Sequence, residues 1–549
     1  MSLRADLSRA IAGARDRAIS AGDLAVPEGV ALPAIGLERP AKTEHGDWAS
    51  NAAMQLAPVA RSAPMRIAET LLAHLDRPAS IAEASIAAPG FLNLRLDPAW
   101  VASQVATIGQ SGMTYGRNTV TEPRRINVEF VSANPTGPLH VGNARGAFVG
   151  DVLSRVLAAV GHQVGREYYF NDFGAQVINL GLSVFARRHG TELPEDGYRG
   201  AYVEDLALEL PAEVLTQAEQ RPDAARVIGV WATERVRAGI EASLARLGVN
   251  FDVWKEESSL HDEGWVERAV AKLRESGHVH EADGATWFRS TAFGDDKDRV
   301  IYRSNGLPTY FASDIGYVTE KLSRGFDELI YIWGADHHGT VARVQNAAEA
   351  MGFAREAIRM LLIAWVRFVR DGVEIPMSKR SGEFITLDDV LNEVGVDAAR
   401  WYFSSRAYTT GIDFDLELAK KQSNENPVYY VQYAHARASS ILRHGADAGV
   451  QPDASRAAGL LRHPAEQALL RHVLEFPDVL SIAAERRETH EVPRYCYELA
   501  SAFSAFYRDC KVLTEDADLS SARLSLVDAT RSVLANGLDL LGISAPESM

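Results

Sequence analysis

The sequence predicts a multidomain α/β protein: a Rossmann-like, parallel-sheet domain with an insertion, preceded by a small α+β N-terminal domain and followed by an all-α C-terminal domain. Three observations predict this class. Residues 126–157 run from a short strand through a glycine-bearing turn into a long helical pattern. Further strands alternate with helices up to residue 369, as in a parallel sheet. After about residue 415 the strand signals cease and helical spacing remains.

The N-terminal domain is expected over residues 1–112. Residues 1–20 have the spacing of an amphipathic helix, and the proline- and glycine-rich stretch after them predicts a loop. Helical spacing returns over residues 47–76. The stretch IAAPGFLNLRL (86–96) then alternates as a strand does, and residues 119–125 predict a linker to the next domain.

The central domain is expected over residues 120–415. Its first strand alternates apolar residues over 126–130, and the helix after it is expected to end at Gly161, because glycine is the usual left-handed cap. A charged segment over about residues 190–290 predicts an insertion between the two halves of the sheet. The remaining strands are predicted at VGREYYF (164–170), ELIYIWG (328–334) and LLIAWVRFV (361–369). Residues 416–549 are expected to form the helical domain.

The composition is that of an ordinary globular protein, with 46% hydrophobic and 24% charged residues. The two cysteines, Cys496 and Cys510, form no Cys-x-x-Cys pair, which argues against a zinc ribbon or a disulfide scaffold. No signal peptide is evident, and no stretch approaches the roughly 18 apolar residues of a membrane span. We therefore expect a cytoplasmic protein. The net charge of −16 neither indicates nor excludes a nucleic-acid partner, since a local basic face decides that.

The segment after the first central strand has the features of a phosphate site. A turn bent by prolines and Gly137 leads into a helix that opens at His140, Gly142 and Asn143. A strand, a glycine-bearing turn and a helix N-terminus are where α/β proteins hold nucleotide phosphates. The pattern is neither the Walker lysine loop nor a three-glycine dinucleotide turn. It suggests that imidazole and backbone amides stabilise ATP while its α-phosphate is attacked.

A second signal is PMSKRSGEF, residues 376–384, which follows a predicted strand. A loop with a lysine, an arginine and two hydroxyls can close over a polyphosphate, and Lys379 can neutralise charge on the leaving pyrophosphate. Either signal alone is more often structural: a solvated basic loop, or a hydrogen-bonded histidine in the case of His140. Their order, each just after a predicted strand, favours an ATP site.

The two signals resemble the His-Ile-Gly-His and Lys-Met-Ser-Lys-Ser signatures of class I aminoacyl-tRNA synthetases. The surrounding sequence is similar to the arginyl-tRNA synthetase family. The similar segments are SANPTGPLHVGNARGAFVGD, REYYFNDFGAQ, TYFASDIGY, GADHHG, MSKRSG, GVDAARWYF and NPVYYVQYAHARAS. Near the start of the chain, HGDWASNAA and APGFLNL match that family's N-terminal extension. The resemblance covers nearly the whole chain apart from residues 190–260.

The resemblance implies a reaction and the residues that carry it. Arginine would attack the α-phosphate of ATP, bound with Mg²⁺, and the arginyl-adenylate would then react with tRNA(Arg). Catalysis would rest on His140, Asn143 and Lys379. ATP would contact His140, Gly142, Asn143, Met377, Ser378, Lys379 and Arg380. No covalent intermediate with the protein is required. Catalysis would therefore depend on positioning of the substrates and on stabilisation of the charge that develops in the transition state.

The resemblance also implies an arginine pocket. A guanidinium has five donors in one plane, which acidic or carbonyl acceptors satisfy. Glu129 and Asp314 would bind it with Tyr310 beside them, while Asn134 and His338 would hold the α-amino end. Without the resemblance, the sequence would favour a solvated acid at a strand end for Glu129 and a simple turn for Tyr310 and Asp314, because exposed acids are the norm.

For the outer domains, the resemblance implies tRNA contacts, at the elbow for residues 1–112 and at the anticodon for the helical domain. Tyr429 and Tyr433 lie near Arg437 in sequence, which suits unstacked bases, although the same spacing would also bury a helix face. The terminal Met549 would lie near the anticodon. We expect no structural zinc, because the histidine pairs lack acidic or cysteine partners at ligand spacing, and a monomer by analogy with the family.

Two departures from the signatures leave alternatives open. Asn143 replaces the second histidine and cannot become a cation, and in the second signature Pro376 and Arg380 replace a lysine and a serine. A non-catalytic, synthetase-like RNA-binding protein is one alternative. A class I synthetase for another amino acid is the second, although Glu129 with Asp314 favours a cationic substrate.

Overall fold

The computed structural model describes residues 2–40, 42–375 and 386–549. The N-terminal domain consists of α1 (Leu3–Ala21), β1 (Trp48–Ser50), α2 (Ala52–Ala60), α3 (Pro64–Ala73), β2 (Ile81–Ala87), β3 (Phe91–Leu96) and α4 (Pro98–Ser111). Its three strands form an antiparallel sheet in the order β1-β3-β2. The prediction of continuous helix over residues 47–76 is wrong at its start. Trp48–Ser50 pairs with β3 instead, a contact that local spacing does not reveal.

The first half of the central domain contains β4 (Arg125–Glu129), α5 (Val141–Val160), β5 (Gln163–Phe170), α6 (Ala175–His189), α7 (Ala201–Glu209), α8 (Ala212–Glu219), α9 (Ala224–Arg246), β6 (Val253–Glu256), α10 (Glu257–Asp262) and α11 (Trp265–Glu275). The second half contains β7 (Val279–Ala282), β8 (Ala285–Phe288), β9 (Arg299–Tyr302), α12 (Tyr310–Ser323), β10 (Glu328–Gly334), α13 (His338–Ala350), β11 (Ile358–Ile363), β12 (Val366–Arg370), β13 (Val373–Ile375), α14 (Leu387–Val394), α15 (Val396–Ser404), β14 (Ile412–Asp415) and α16 (Leu416–Lys420).

The central sheet is parallel, in the order β11-β10-β4-β5-β6. From β4 the chain proceeds to β5 on one side, and from β10 to β11 on the other. The switch point therefore lies between β4 and β10, where open α/β sheets bind ligands. Helix α5 packs closely on this sheet, because Gly150 lies where a Cβ would be 2.2 Å from the Phe130 ring. The parallel sheet, with an antiparallel N-terminal domain before it and helices after it, confirms the predicted class of fold.

The predicted strand over residues 361–369 is wrong as a single element. The chain leaves the central sheet at Ala364, and β12 joins a separate small sheet in the order β13-β12-β14. The amide of Ala364 donates to the carbonyl of Tyr408 and its carbonyl accepts from Arg145, so distant residues fix the break. Strands β7, β8 and β9 form a further antiparallel sheet between α11 and α12.

The C-terminal domain consists of the helices α17 (Pro427–Asp447), α18 (Ala457–Leu460), α19 (Pro464–Arg486), α20 (Glu491–Asp509) and α21 (Ala517–Leu541). Polar contacts join α19 to the N-terminal domain, among them Arg39 to Glu475 at 2.5 Å and Asp47 to Arg471 at 2.7 Å. In the described parts of the chain, no helix has the length and apolar character needed to cross a membrane.

Candidate active site

Helix α5 begins with a reciprocal cap built from the first signature. His140 is the N-cap, and its Nδ1 accepts a hydrogen bond from the Gly142 amide at 3.0 Å. Burial lowers the pKa of His140, and the lower pKa favours the neutral ring near pH 7. A neutral imidazole that accepts at Nδ1 carries its proton on Nε2. In that tautomer Nε2 is the donor atom of the ring.

Asn143 completes the cap, which gives a structural reason for asparagine at this position. Its Oδ1 accepts from the backbone amide of His140 at 3.2 Å. This contact satisfies a donor at the start of the helix, as in a capping box. Since Oδ1 is the acceptor in this contact, the carboxamide keeps its NH₂ group for donation.

A cavity of about 1620 Å³ opens in front of this helix start. Among the predicted residues, Asn134, His140, Gly142 and Asn143 line it. Its wall also includes Thr386, the first described residue after the second signature, which forms an isolated bridge with His140. Met377, Ser378, Lys379 and Arg380 lie outside the described residues. Glu129, Tyr310, Asp314 and His338 are not among the residues that line this cavity.

Several residues of the cavity wall were not found from the sequence. They include Arg145 in α5, the segment Trp333–His337 at the end of β10 and just after it, Trp365 after β11, and Tyr198–Tyr202 in the insertion. The segment after β10 could have been found, since it follows a predicted strand end. The contribution of the insertion could not have been found from the sequence, because it depends on a contact between distant residues. The Tyr202 hydroxyl donates a 2.6 Å hydrogen bond to the carbonyl of Thr136.

Arg145 is buried under the cavity and fixes its far wall. Its guanidinium donates to the carbonyls of Ala364 at 2.9 Å and Ala407 at 2.8 Å. Burial lowers its pKa to about 10, which still leaves it charged at pH 7. The residue thus ties the helix that starts at His140 to the point where the chain leaves the central sheet.

Glu129 ends β4 and is buried, not a solvated acid. Its carboxylate accepts from Lys321 Nζ at 2.6 Å and from Ser132 Oγ at 3.1 Å. Burial raises the pKa of Glu129, while Lys321 and Ser132 act in the opposite direction. The next residues, Val131 and Ser132, have φ of 68° and 40°. Such values cost non-glycine residues about 1–3 kcal/mol and cluster at functional sites.

Asp314, the second predicted guanidinium ligand, lies one turn into α12. Burial raises its pKa to about 7, with smaller contributions from Glu257 and Glu129 in the same direction and an opposing one from Arg343. The structure thus brings Glu129 and Asp314 within each other's electrostatic influence. Tyr310 begins the same helix, not a turn, and is 70% exposed.

His338 begins α13 and is exposed. Within the described residues, neither Tyr310 nor His338 is hydrogen-bonded to Glu129 or Asp314. The structure therefore brings together the two acids, while Asn134 lines the separate cavity at the helix start.

The C-terminal domain carries the predicted aromatic and cationic residues on α17. The rings of Tyr429 and Tyr433 stack with centroids 6.2 Å apart, and Arg437 lies 4.6 Å from the centroid of Tyr433. Arg437 also lies 4.8 Å from the ring of Tyr507 on α20, a neighbour that the sequence did not indicate. Met549 and Tyr429 line one cavity of about 860 Å³.

In the part of the chain that the structure describes, one group has three side chains spaced to hold a metal ion: Glu488, His490 and Glu491, at the start of α20. It lies outside the cavity described above. His280 approaches Asp298 at 3.7 Å, and His337 approaches Asp336 at 3.6 Å.

The parallel sheet with a His-x-Gly-x helix start at its switch point defines the catalytic domain of a class I aminoacyl-tRNA synthetase. Comparison with known families agrees in three places. Residues 1–96 match "Arginyl tRNA synthetase N terminal domain", residues 104–193 and 228–405 match "tRNA synthetases class I (R), catalytic domain", and residues 431–549 match "DALR anticodon binding domain".

Whole proteins match as well. The chain is 45% identical to "Arginine--tRNA ligase" of Carboxydothermus hydrogenoformans, over 98% of each chain, and 45% identical to that of Desulforudis audaxviator, over 100% of this chain and 99% of the other. Among solved structures, the arginyl-tRNA synthetase of Thermus thermophilus has 26% identity and a TM-score of 0.79, with 100% of both chains covered. The chain belongs to the arginyl-tRNA synthetase family.

The contact between Gly142 and His140 gives a first prediction. A Cβ on Gly142 would lie 2.8 Å from the imidazole, too close for the ring to stay in place. We expect Gly142→Ala to lower the rate of ATP-dependent amino-acid activation about 100- to 1000-fold, which is the usual effect of losing one positioned donor. Single-turnover adenylate formation measures this rate. Gly239→Ala is the control, because nothing lies within 4 Å of its added methyl group. Equal rates for the two variants would contradict the proposed place of His140.

Proposed function

We propose that this chain ligates L-arginine to tRNA(Arg) at the expense of ATP. The arginine carboxylate attacks the α-phosphate, which forms the arginyl-adenylate and releases pyrophosphate. The terminal ribose hydroxyl of tRNA(Arg) then attacks the arginyl carbonyl, and AMP leaves. The observation that carries the proposal is that Glu129, at the strand end that leads into the His140 helix start, lies near enough to Asp314 on α12 for its charge to raise the pKa of Asp314.

ATP binds in the large cavity in this proposal. His140 donates from Nε2 to a phosphate oxygen, Gly142 lets the backbone approach, and Asn143 donates through its NH₂ group. The N-terminus of α5 adds its partial positive charge. Met377, Ser378, Lys379 and Arg380 complete the ATP contacts, with Lys379 stabilising pyrophosphate. The position of Thr386 beside His140 supports this role for the segment just before it.

Arginine binds with its guanidinium between Glu129 and Asp314, and with its α-amino group near Asn134 and His338. Tyr310 is exposed at the start of α12, from which it can turn over the bound side chain. Two carboxylates in a buried setting favour a planar cation with several donors over lysine or glutamine. The pocket therefore selects by charge and by geometry.

The outer domains bind tRNA in this proposal. Residues 1–112 contact the elbow, and residues 416–549 bind the anticodon through Tyr429, Tyr433, Arg437 and Met549. The central unit over residues 120–415 performs the chemistry. Mg²⁺ enters with ATP as part of the substrate, no zinc is required, and the protein acts as a cytoplasmic monomer.

The test is arginine-dependent exchange of pyrophosphate into ATP, in the presence of tRNA(Arg), with lysine and glutamine in parallel. We expect exchange with arginine alone among the three, and loss of most of it in Lys379→Ala. A synthetase for another amino acid would respond to a different substrate. A non-catalytic RNA-binding protein would bind tRNA without exchange and would be indifferent to Lys379.

A further inference from the structure

Lys321 is a fully buried cation beside the proposed guanidinium site. It lies in the last turn of α12, and its Nζ is 2.6 Å from Glu129 Oε2. The same ammonium lies 4.2 Å from the ring centroid of Tyr317 and 4.1 Å from that of Tyr331. Two aromatic faces and one carboxylate thus hold the charge of Lys321 in one place.

A second buried acid, Glu167, lies beside Glu129 on the neighbouring strand. Glu167 is the neighbour of Glu129 in the sheet register, and its carboxylate accepts from Asn127, Arg324 and the Tyr317 hydroxyl. Burial acts to raise the pKa of Glu167, but Lys321 and Arg324 outweigh it and keep the pKa below its usual range. Glu167 is therefore occupied by its own hydrogen-bond partners, while its charge and that of Lys321 attract each other.

We propose that Lys321 is a positioning residue for arginine recognition, which holds the Glu129 carboxylate charged and in one orientation for the guanidinium. This inference rests on the proposed function. Each carboxylate oxygen has two acceptor positions. Lys321 takes one on Oε2 and Ser132 takes one on Oε1. One position on each oxygen remains, and two parallel N–H groups of a guanidinium match such a pair.

Charge explains why Lys321 assists the substrate and does not compete with it. An isolated buried carboxylate takes up a proton, and a protonated Glu129 would lose the charge that attracts arginine. With Lys321 present, the cations Lys321, Arg324 and Arg343 act on the acids Glu129, Glu167, Asp314 and Glu257. When all of these groups are ionised, the acids outnumber the cations by one, which leaves one negative charge for the guanidinium. The rings of Tyr317 and Tyr331 keep Lys321 from leaving when arginine arrives.

The test compares Lys321→Met with Lys255→Met by arginine-dependent pyrophosphate exchange. Lys255 is a matched control, since it is largely buried near the same helix but contacts Glu263 and Glu320. For Lys321→Met we expect the KM for arginine to rise about 30-fold or more, with the KM for ATP and kcat nearly unchanged. Lys321→Arg should recover much of this loss. Lys255→Met should change the arginine KM less than about twofold.

The pH profile separates positioning from a merely structural role. Without Lys321, Glu129 must lose its proton unaided while it faces Glu167, Asp314 and the phenols of Tyr317 and Tyr331. The arginine KM of Lys321→Met should therefore keep falling at pH values where that of the wild type is level. An unchanged or lower arginine KM in a folded Lys321→Met protein would overturn the inference.

A further variant covers the case in which Lys321→Met does not fold. Tyr331→Leu removes one of the two rings that confine Lys321, and we expect a severalfold rise in the arginine KM alone. An unchanged KM there would also overturn the inference. Absence of arginine-dependent exchange in the wild type would instead refute the proposed function, so the two failures are distinguishable.

Discussion

Replacement of Asp314 by asparagine is expected to lower kcat/KM for arginine about 100- to 1000-fold, while the KM for ATP stays close to its wild-type value. Asparagine keeps the shape of the side chain but removes one of the two charges assigned to the guanidinium. Loss of one partner of a buried, hydrogen-bonded charge pair costs about 2–5 kcal/mol. Pyrophosphate exchange with arginine varied at saturating ATP measures kcat/KM for arginine. The same assay with ATP varied at saturating arginine measures the KM for ATP.

The same carboxyl predicts a pH dependence. Burial first, and then Glu257 and Glu129, raise the pKa of Asp314 to about 7, against the opposing effect of Arg343. Below pH 7 the group is protonated in the free protein and must lose that proton to bind a guanidinium. The arginine KM should therefore rise as the pH falls from 7 to 6, by at most about tenfold per unit. Asp314→Asn should show no such rise.

The raised pKa of Asp314 also makes the free energy of unfolding depend on pH. The folded pKa of Asp314, about 7, lies above its ordinary value of 3.8, so the folded state holds the proton more tightly than the unfolded chain. This group therefore lowers the free energy of unfolding as the pH rises from 3.8 to 7. Bound arginine opposes that loss, because it stabilises the ionised carboxylate.

Glu320→Gln is the control for both measurements. Glu320 lies on the same helix, α12, but pairs with Arg324 at 3.0 Å and is not assigned to the arginine site. Its replacement should leave the arginine KM and its pH profile nearly unchanged. A wild-type arginine KM that is level from pH 6 to pH 8 would contradict the role of Asp314 as a titrating ligand.

Local patterns predicted the parts of the site that local chemistry builds. The start of a helix at His140 and the position of Glu129 at a strand end depend on residues close in sequence, and spacing predicted both. The reciprocal cap between His140 and Asn143 was not predicted. Local spacing could not identify the partner of Glu129. Lys321 lies 192 residues away, and in the sequence it resembles any other charged residue of a helix. Arg145 was missed for the same reason, since its acceptors are backbone carbonyls beyond residue 360.

The break after β11 shows the same limit. Residues 361–369 are apolar throughout most of their length, and an apolar run contains no signal for the point at which a chain changes sheets. Tertiary hydrogen bonds to Ala364 decide it. The specific roles of Tyr310 and His338 remain predictions, as does that of Lys379, which pyrophosphate exchange by Lys379→Ala tests.

Replacement of Arg400 by methionine is expected to give the largest loss of stability. Arg400 is fully buried on α15, and its guanidinium donates to Asp151 on α5 and to the carbonyls of Leu247 at 2.6 Å and Leu541 at 2.5 Å. These acceptors belong to α5, the end of α9 and the end of α21. Removal of one partner from a buried ion pair costs about 3–5 kcal/mol, because the other charge stays buried.

Urea unfolding followed by circular dichroism measures the effect, with the first transition midpoint as the readout because several domains are present. The control is Arg155→Met. Arg155 also contacts Asp151, at 2.8 Å, but its side chain is partly exposed, and partly exposed pairs contribute about 0–1 kcal/mol. We expect a clear shift of the midpoint for Arg400→Met and a small one for Arg155→Met.

The double variant Asp151→Asn/Arg400→Met tests whether the buried charge of Asp151, deprived of its contact with Arg400, causes the loss. If it does, the double variant should be more stable than Arg400→Met alone, because that buried charge is then removed as well. Arg155 and Arg166 also contact Asp151, so they lose a partner in the double variant and recovery should be partial. A double variant less stable than Arg400→Met would indicate that the carbonyl contacts at Leu247 and Leu541, and not the ion pair, join the three parts of the chain.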